Sequence, residues 1–121
     1  MAGIGILRSA CLAAAVVLIS GSAGAATTAA TLRADCTAEL KTSGDAQQQA
    51  LSGAETSWKL GHCSGYIAGF MDADQNVRDG VTVKQVEDAF LQYLRANPAD
   101  GEKTASWVLE ASARSAGLTY K

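Results

Sequence analysis

The most informative segment of this chain reads WKLGHCSGYIAGFMDAD and spans residues 58–74. Its apolar residues recur at intervals of three and four, which is the spacing of one face of an α-helix. These residues are Leu60, Cys63, Ile67, Phe70 and Met71. The segment therefore predicts an amphipathic helix, which we expect to run from about Ala54 to Val77.

A second strip of the same helix carries almost no side chain, because Gly61, Gly65 and Gly69 stand at strict four-residue intervals. Each glycine inside a helix costs about 1 kcal/mol relative to alanine. We therefore expect another backbone to come very close to this strip. A neighbouring helix of the same domain is the favoured interpretation, and a two-fold crossing between two copies in a homodimer is the alternative.

Residues 1–25 have the order of features that is typical of a secretory signal peptide. Arg8 precedes the apolar run 10–19, and the small residues 23–25 follow a Ser-Gly-Ser break. An apolar run of about ten residues is too short to span a bilayer, which takes roughly 20. We expect cleavage after Ala25, a single helical domain over residues 26–121, a periplasmic location and no membrane attachment after cleavage.

Cys11 would leave with the signal peptide, so the exported domain keeps two cysteines, Cys36 and Cys63. In an oxidising compartment, two cysteines most simply form one disulfide. Closing a loop of about 30 residues would stabilise the fold by about 3–4 kcal/mol on the chain-entropy model. We therefore predict a Cys36–Cys63 disulfide.

Four helices and no convincing strand can be recognised in the exported part. The first helix is predicted over Ala29–Lys41, with Leu32, Cys36 and Leu40 on its core face. The polar residues 47–53 are predicted to form a loop or a short helical turn before the second helix.

The last two helices have clearer boundaries. Thr82 and Gln85 fit a capping box at the start of the third helix, which ends before Pro98. The fourth helix is expected after Asp100-Gly101, with Gly117 at its end. Apolar faces on four helices with short polar connections predict an all-α fold, a small disulfide-pinned bundle of about four helices.

Composition excludes nucleic acid as a partner, since the net charge is −2 and no two basic residues are adjacent. No catalytic set can be assembled from the residues. His62 and Cys63 are sequence neighbours and point about 100° apart on a helix, and a bonded cysteine is not a nucleophile. We assign no catalytic, cofactor or metal residues and expect no enzyme, with an enzymatic role of His62 kept as a residual alternative.

Three residues of the central segment are candidates for contacting a partner protein. Asp72 and Asp74 follow at its C-terminal end, where acidic side chains oppose the helix dipole and cost some stability. Tyr66 combines an apolar ring with a polar tip, which suits either a core or an interface. We expect Tyr66, Asp72 and Asp74 to be partner-facing.

Residues 63–73, CSGYIAGFMDA, resemble the signature of the Rap/Tai-type immunity proteins. Further matches follow in the same order at residues 80–86, 93–98 and 105–111, so the resemblance covers roughly residues 30–118. It implies a small helical periplasmic protein that binds a peptidoglycan amidase toxin of type VI secretion and blocks its active-site cleft. Many relatives have a second cysteine pair, but this chain has Gly80-Val81 at the first place and no cysteine near its C-terminal end.

A second hypothesis comes from another class of protein. Small, helical, exported domains with one disulfide also include periplasmic acid-stress chaperones of the HdeA-like type. Such a chaperone would expose apolar surface at low pH, so an acid titration separates it from an immunity protein.

Overall fold

The computed structural model describes residues 26–40 and 43–120. It contains four α-helices, α1 (Ala29–Cys36), α2 (Ala46–Ala73), α3 (Val83–Ala96) and α4 (Ala105–Ser115), with a 3-10 turn over Pro98–Glu102. Within the described residues, extended pairing is limited to two isolated bridges, Thr28 with Thr104 and Val77 with Thr119. The predicted all-α class with four helices is confirmed. The signal-peptide prediction lies outside the described residues.

The core is built from one apolar stripe of each helix. α3 shows this most simply, because Val86, Phe90 and Leu94 follow at four-residue spacing and are fully buried. They meet Leu32, Ile67, Val108 and Leu109 from the other three helices. None of the helices in the described part of the chain combines the length and apolarity that crossing a membrane requires.

The predicted disulfide is confirmed. Cys36 is the last residue of α1 and Cys63 lies in the middle of α2, with 5.1 Å between the two Cα atoms. Both cysteines are buried. The bond therefore fastens a helix of eight residues to the longest helix of the domain.

The first helix is shorter than predicted, because it ends at Cys36 instead of Lys41. The Thr37 hydroxyl donates a hydrogen bond to the Arg33 carbonyl at 2.8 Å and closes the last turn. Leu40, which we expected on the core face of this helix, lies beyond it and is 61% exposed.

The second helix begins earlier and ends earlier than predicted. Asp45 caps it through a capping box, in which the Gln48 N–H donates to Asp45 Oδ1 at 2.8 Å and the Asp45 N–H donates to Gln48 Oε1 at 3.3 Å. Residues 47–53, predicted as a loop or a short helical turn before this helix, are therefore part of the continuous helix α2. At the other end, α2 stops at Ala73, before the predicted Val77.

The first turns of α2, which we call the arm (residues 46–55), carry no buried residue. The helix joins the core from Thr56 onward, where the Thr56 hydroxyl donates to the Glu39 carbonyl at 3.2 Å. Leu40 lies against Gly53 of the arm, since a Cβ on that glycine would be 3.6 Å from a Leu40 methyl group. The arm therefore extends α2 beyond the core and is mostly exposed to solvent.

The helix boundaries of the second half follow the prediction closely. Thr82 and Gln85 form the expected capping box, and Gly117 has φ +73° just after α4. The start of α4 differs, because the 3-10 turn intervenes and Thr104 is the N-cap, its hydroxyl accepting a hydrogen bond from the Trp107 N–H.

Both outer segments of the described chain are tied to connections between helices. The Ala105 N–H donates to the Thr27 carbonyl at 2.8 Å, next to the Thr28–Thr104 bridge. Near the other end, the Arg78 N–H donates to the Leu118 carbonyl at 2.9 Å, and the Tyr120 hydroxyl accepts from the Asp79 N–H at 3.1 Å. Hydrogen bonds therefore hold the α2–α3 connection.

Candidate docking surface

Three side chains at four-residue spacing form an aromatic ridge on α2: Trp58, His62 and Tyr66. The Trp58 and His62 rings are stacked, with centroids 5.4 Å apart and an angle of 2° between their planes. The His62 and Tyr66 rings are tilted by 58° at 6.2 Å. Trp58 is 67% exposed, which is a high value for the largest apolar side chain. The ridge therefore presents the Trp58 ring to solvent, whereas His62 and Tyr66 are half-buried and Tyr66 also packs against the core.

His62 is held in this ridge by a carboxylate from α1. Its Nδ1 lies 2.7 Å from Asp35 Oδ2, and the Asp35 side chain is only 11% exposed. Because an ionised carboxylate only accepts hydrogen bonds, Nδ1 carries the hydrogen, and in the neutral ring Nε2 is an acceptor. Asp35 and His62 are the sequence neighbours of Cys36 and Cys63, so the hydrogen bond and the disulfide join the same two helices side by side.

The glycine strip beside the ridge is exposed, and the favoured interpretation of it is wrong. A Cβ placed on Gly61, Gly65 or Gly69 would meet no atom of the described residues within 4 Å, apart from the helix's own backbone. No neighbouring helix of the described domain therefore packs on this strip. Each glycine follows a ridge residue by three positions, so the strip lies next to the ridge on the helix surface.

The predicted partner-facing residues separate into two groups. Asp72 is exposed and follows Gly69 by three positions, so it continues the glycine strip, and Tyr66 belongs to the ridge beside it. Asp74 is the half-buried C-cap of α2, and its Oδ1 accepts a hydrogen bond from the Asn76 N–H at 2.9 Å. Asp74 therefore closes the helix end, and helical spacing places it away from the ridge.

The exposed apolar surface continues from the ridge into the arm. Leu51 is 65% exposed and precedes Trp58 by seven positions, which places both on one side of α2. We call the combined set, Leu51, Trp58, His62, Tyr66, Gly61, Gly65, Gly69 and Asp72, the α2 outer surface. Sequence reasoning identified Tyr66 as a contact candidate but missed Trp58 and the stacking on His62, although the four-residue spacing of the three residues was visible.

A second exposed tryptophan lies at the C-terminal end of α2. Trp107 of α4 is 46% exposed and lines a shallow groove together with Phe70 and Ala73. The Lys103 ammonium lies 3.7 Å from the centroid of its ring, a cation–π contact.

One cluster of metal-ligand types occurs among the described residues. Cys36, Cys63 and Glu87 place their ligand atoms within 4.8 Å of one another. Both sulfur atoms are bonded to each other, so only the carboxylate remains as a donor. The cluster therefore does not suit a metal ion and is a disulfide with an acidic neighbour.

Comparison with known proteins supports a single assignment. A family model described as Rap1a immunity proteins matches residues 28–116, which includes all four helices. No curated protein and no solved structure shows a significant match. The matched segment includes the ridge, the glycine strip and both bonded cysteines.

Proposed function

Because the chain belongs to the Rap1a immunity protein family, we propose that it is a periplasmic immunity protein that neutralises a peptidoglycan amidase toxin of type VI secretion. Membership of the family implies an inhibitor that binds a protein toxin. The amidase as target follows from the resemblance of residues 63–73 to Rap/Tai-type proteins. The features of residues 1–25 and the disulfide support export into an oxidising compartment.

The α2 outer surface is the observation that carries this proposal. Trp58, at 67% exposure, and Leu51, at 65%, place two large apolar side chains in solvent on one side of α2, as expected for a surface that a partner covers. Tryptophan and tyrosine are the residue types that most often dominate the energy of protein interfaces. Their rings have few rotatable bonds, so their immobilisation on binding costs little entropy.

The glycine strip gives this surface its shape. Since Gly61, Gly65 and Gly69 have no side chain, a backbone of the toxin can approach α2 beside the aromatic ridge. Asp72 at the end of the strip lies in a last helical turn without a basic residue, where a cationic side chain of the toxin would be favourable. We propose that the toxin binds here and that α2 covers its active-site cleft.

The test is protection of a bacterium that produces an amidase effector in its periplasm, with the effector taken from the genes next to this one. Wild-type protein should restore growth, and Trp58→Ala should weaken binding of the purified effector at least tenfold, as expected for an interface hot spot. Lys84→Ala is the matched control, because this 74% exposed side chain of α3 lies outside the α2 outer surface.

Two results would contradict the proposal. If the wild-type protein gives no protection against the neighbouring effector or any other amidase tested, the toxin class is wrong. If protection is complete but Trp58→Ala and Lys84→Ala bind equally well, the toxin uses another surface. Sedimentation of the purified protein shows separately whether it forms a dimer, which a two-fold crossing at the glycine strip would require.

A further inference from the structure

A carboxylate lies beside the disulfide on the side of α3. Glu87 Oε1 is 3.5 Å from the Sγ atom of Cys63. The Glu87 side chain is only 18% exposed, so water screens its charge less than at an open surface.

The basic residue nearest to this carboxylate neutralises it only in part. Lys84 Nζ is 3.8 Å from Glu87 Oε2 but 3.0 Å from Asp88 Oδ1, and the lysine side chain is 74% exposed. Its interaction with Asp88 is therefore the closer one. A net negative charge remains next to the Cys63 sulfur.

The two cysteine residues differ in exposure. Cys36 retains 8% of its residue surface and Cys63 only 1%, so we expect an external thiolate to attack at Cys36. In thiol–disulfide exchange, the attacking thiolate bonds to one sulfur, and the electron pair of the broken S–S bond leaves on the other. Attack at Cys36 therefore gives a mixed disulfide at Cys36 and a thiolate at Cys63.

We propose that Glu87 protects the Cys36–Cys63 disulfide from thiol exchange by holding a negative charge where the leaving thiolate forms. Like-charge repulsion at this distance destabilises the Cys63 thiolate, and a poorer leaving thiolate slows the exchange. Reduction is complete when a second thiolate attacks the mixed disulfide and releases the Cys36 thiolate. This role is independent of the proposed toxin binding.

The experiment measures the rate at which dithiothreitol reduces the folded, oxidised protein, followed by alkylation of the free thiols at timed intervals. Glu87→Gln keeps the size of the side chain and removes its charge. We expect it to be reduced roughly tenfold faster than the wild type. Glu110→Gln is the matched control, because it changes the net charge equally at a 44% exposed carboxylate of another helix, α4, and its rate should equal that of the wild type.

Urea unfolding of the oxidised proteins separates the effect of the charge from a loosened fold. Glu87→Gln should unfold at nearly the same urea concentration as the wild type, although its disulfide is reduced faster. Equal rates for Glu87→Gln and wild type at low salt would overturn the proposal. So would a faster rate that comes with a matching loss of stability in urea, since easier opening of the fold exposes the disulfide without any effect of this charge.

Discussion

Asp35 is a nearly buried carboxylate whose hydrogen bond with His62 orients one ring of the ridge. Asp35→Asn replaces this charged acceptor by a neutral amide. Hydrogen bonds to charged groups contribute about 1.5–3 kcal/mol, so we expect the free energy of unfolding at pH 7 to fall by about 1–2 kcal/mol. Urea unfolding of the oxidised protein measures this change.

The control for Asp35 is an exposed ion pair in the same protein. In α4, Arg114 Nη2 lies 2.9 Å from Glu110 Oε1, and 60% of the arginine side chain and 44% of the glutamate side chain are exposed. Glu110→Gln should change the free energy of unfolding by less than about 0.5 kcal/mol. Equal effects of Asp35→Asn and Glu110→Gln would show that the Asp35–His62 bond adds no stability.

The pair formed by Tyr93 and Asp100 predicts a pH dependence of stability. The hydrogen bond that the Tyr93 hydroxyl donates at 2.8 Å lowers the pKa of Asp100 below 3.8, with Lys103 adding to it against the opposing effect of burial. Because the pKa is lower in the folded state, this contribution is present above about pH 4 and is lost as the pH falls through the folded pKa. The same hydrogen bond raises the pKa of Tyr93 above 10.0. The stability that this bond contributes is therefore also lost at strongly alkaline pH, when the Tyr93 hydroxyl loses its proton.

We expect Tyr93→Phe to lower the urea midpoint at pH 7 and to have a smaller effect at pH 2. Tyr120→Phe is the control, since the Tyr120 hydroxyl accepts from the backbone N–H of Asp79, which does not titrate. Its effect should be similar at both pH values. A Tyr93→Phe effect that is the same at pH 2 and pH 7 would refute the assignment.

At the scale of the element α2, an alanine substitution in the glycine strip should raise the stability of the isolated protein and weaken its binding. Gly65→Ala adds a methyl group that meets no atom of the described residues outside its own helix, and it reduces the freedom of the unfolded chain. We expect the isolated protein to become more stable by about 0.5–1 kcal/mol. The same substitution should weaken binding of the effector, because the strip is where the partner backbone would lie.

Gly44→Ala provides the opposite case for the same measurement. Gly44 has φ +108°, and a Cβ there would collide with the Gln48 side-chain oxygen, so this variant should be destabilised. If Gly65→Ala is also destabilised, the strip is covered in solution, and a second copy of the chain becomes the first candidate.

The elements of this fold follow from sequence patterns where capping residues are read together with apolar spacing. The Thr82–Gln85 capping box gave the start of α3 correctly. The same pattern at Asp45 and Gln48 marks the start of α2. The residues between this capping box and Thr56 are mostly polar, because these turns do not pack on the core, so apolar spacing did not predict a helix there. Leu40 was predicted on the core face of α1 because it follows Cys36 by four positions, but α1 ends at Cys36, so this spacing has no helix to act on.

The candidate site was predictable only in part. The disulfide followed from counting cysteines, and Tyr66 and Asp72 were identified on the helix that forms the surface. The Asp35–His62 bond joins residues 27 positions apart, so it depends on how α1 packs on α2, which a periodicity does not give. The glycine spacing predicted that another backbone comes close, but such a pattern does not distinguish a neighbour in the same chain from a partner.

At the scale of the molecule, the disulfide is the main cross-link of α1. A helix of eight residues is too short to be stable alone, so its position depends on Leu32 in the core and on Cys36. The double substitution Cys36→Ala with Cys63→Ala should lower the free energy of unfolding by about 3–4 kcal/mol. Urea unfolding gives the energy, and amide hydrogen exchange shows whether α1 loses protection first.

Reduced wild-type protein is the control for this double variant and should show a similar loss. An unchanged free energy of unfolding would mean that packing alone positions α1. Uniform loss of protection in all four helices would show that α1 and the remaining helices unfold as one unit.

The hydrogen bonds of residues 27–29 and 118–120 also affect how the protein can be handled in a binding assay. These two short segments are hydrogen-bonded to connections between helices, residues 27–29 to the start of α4 and residues 118–120 to the α2–α3 connection. A purification tag or fluorophore fused directly to either segment would strain these hydrogen bonds and disturb the connection that they hold. Flexible glycine–serine spacers should therefore separate any label from these segments, so that weakened binding of an effector reports on the substituted residue and not on a disturbed connection.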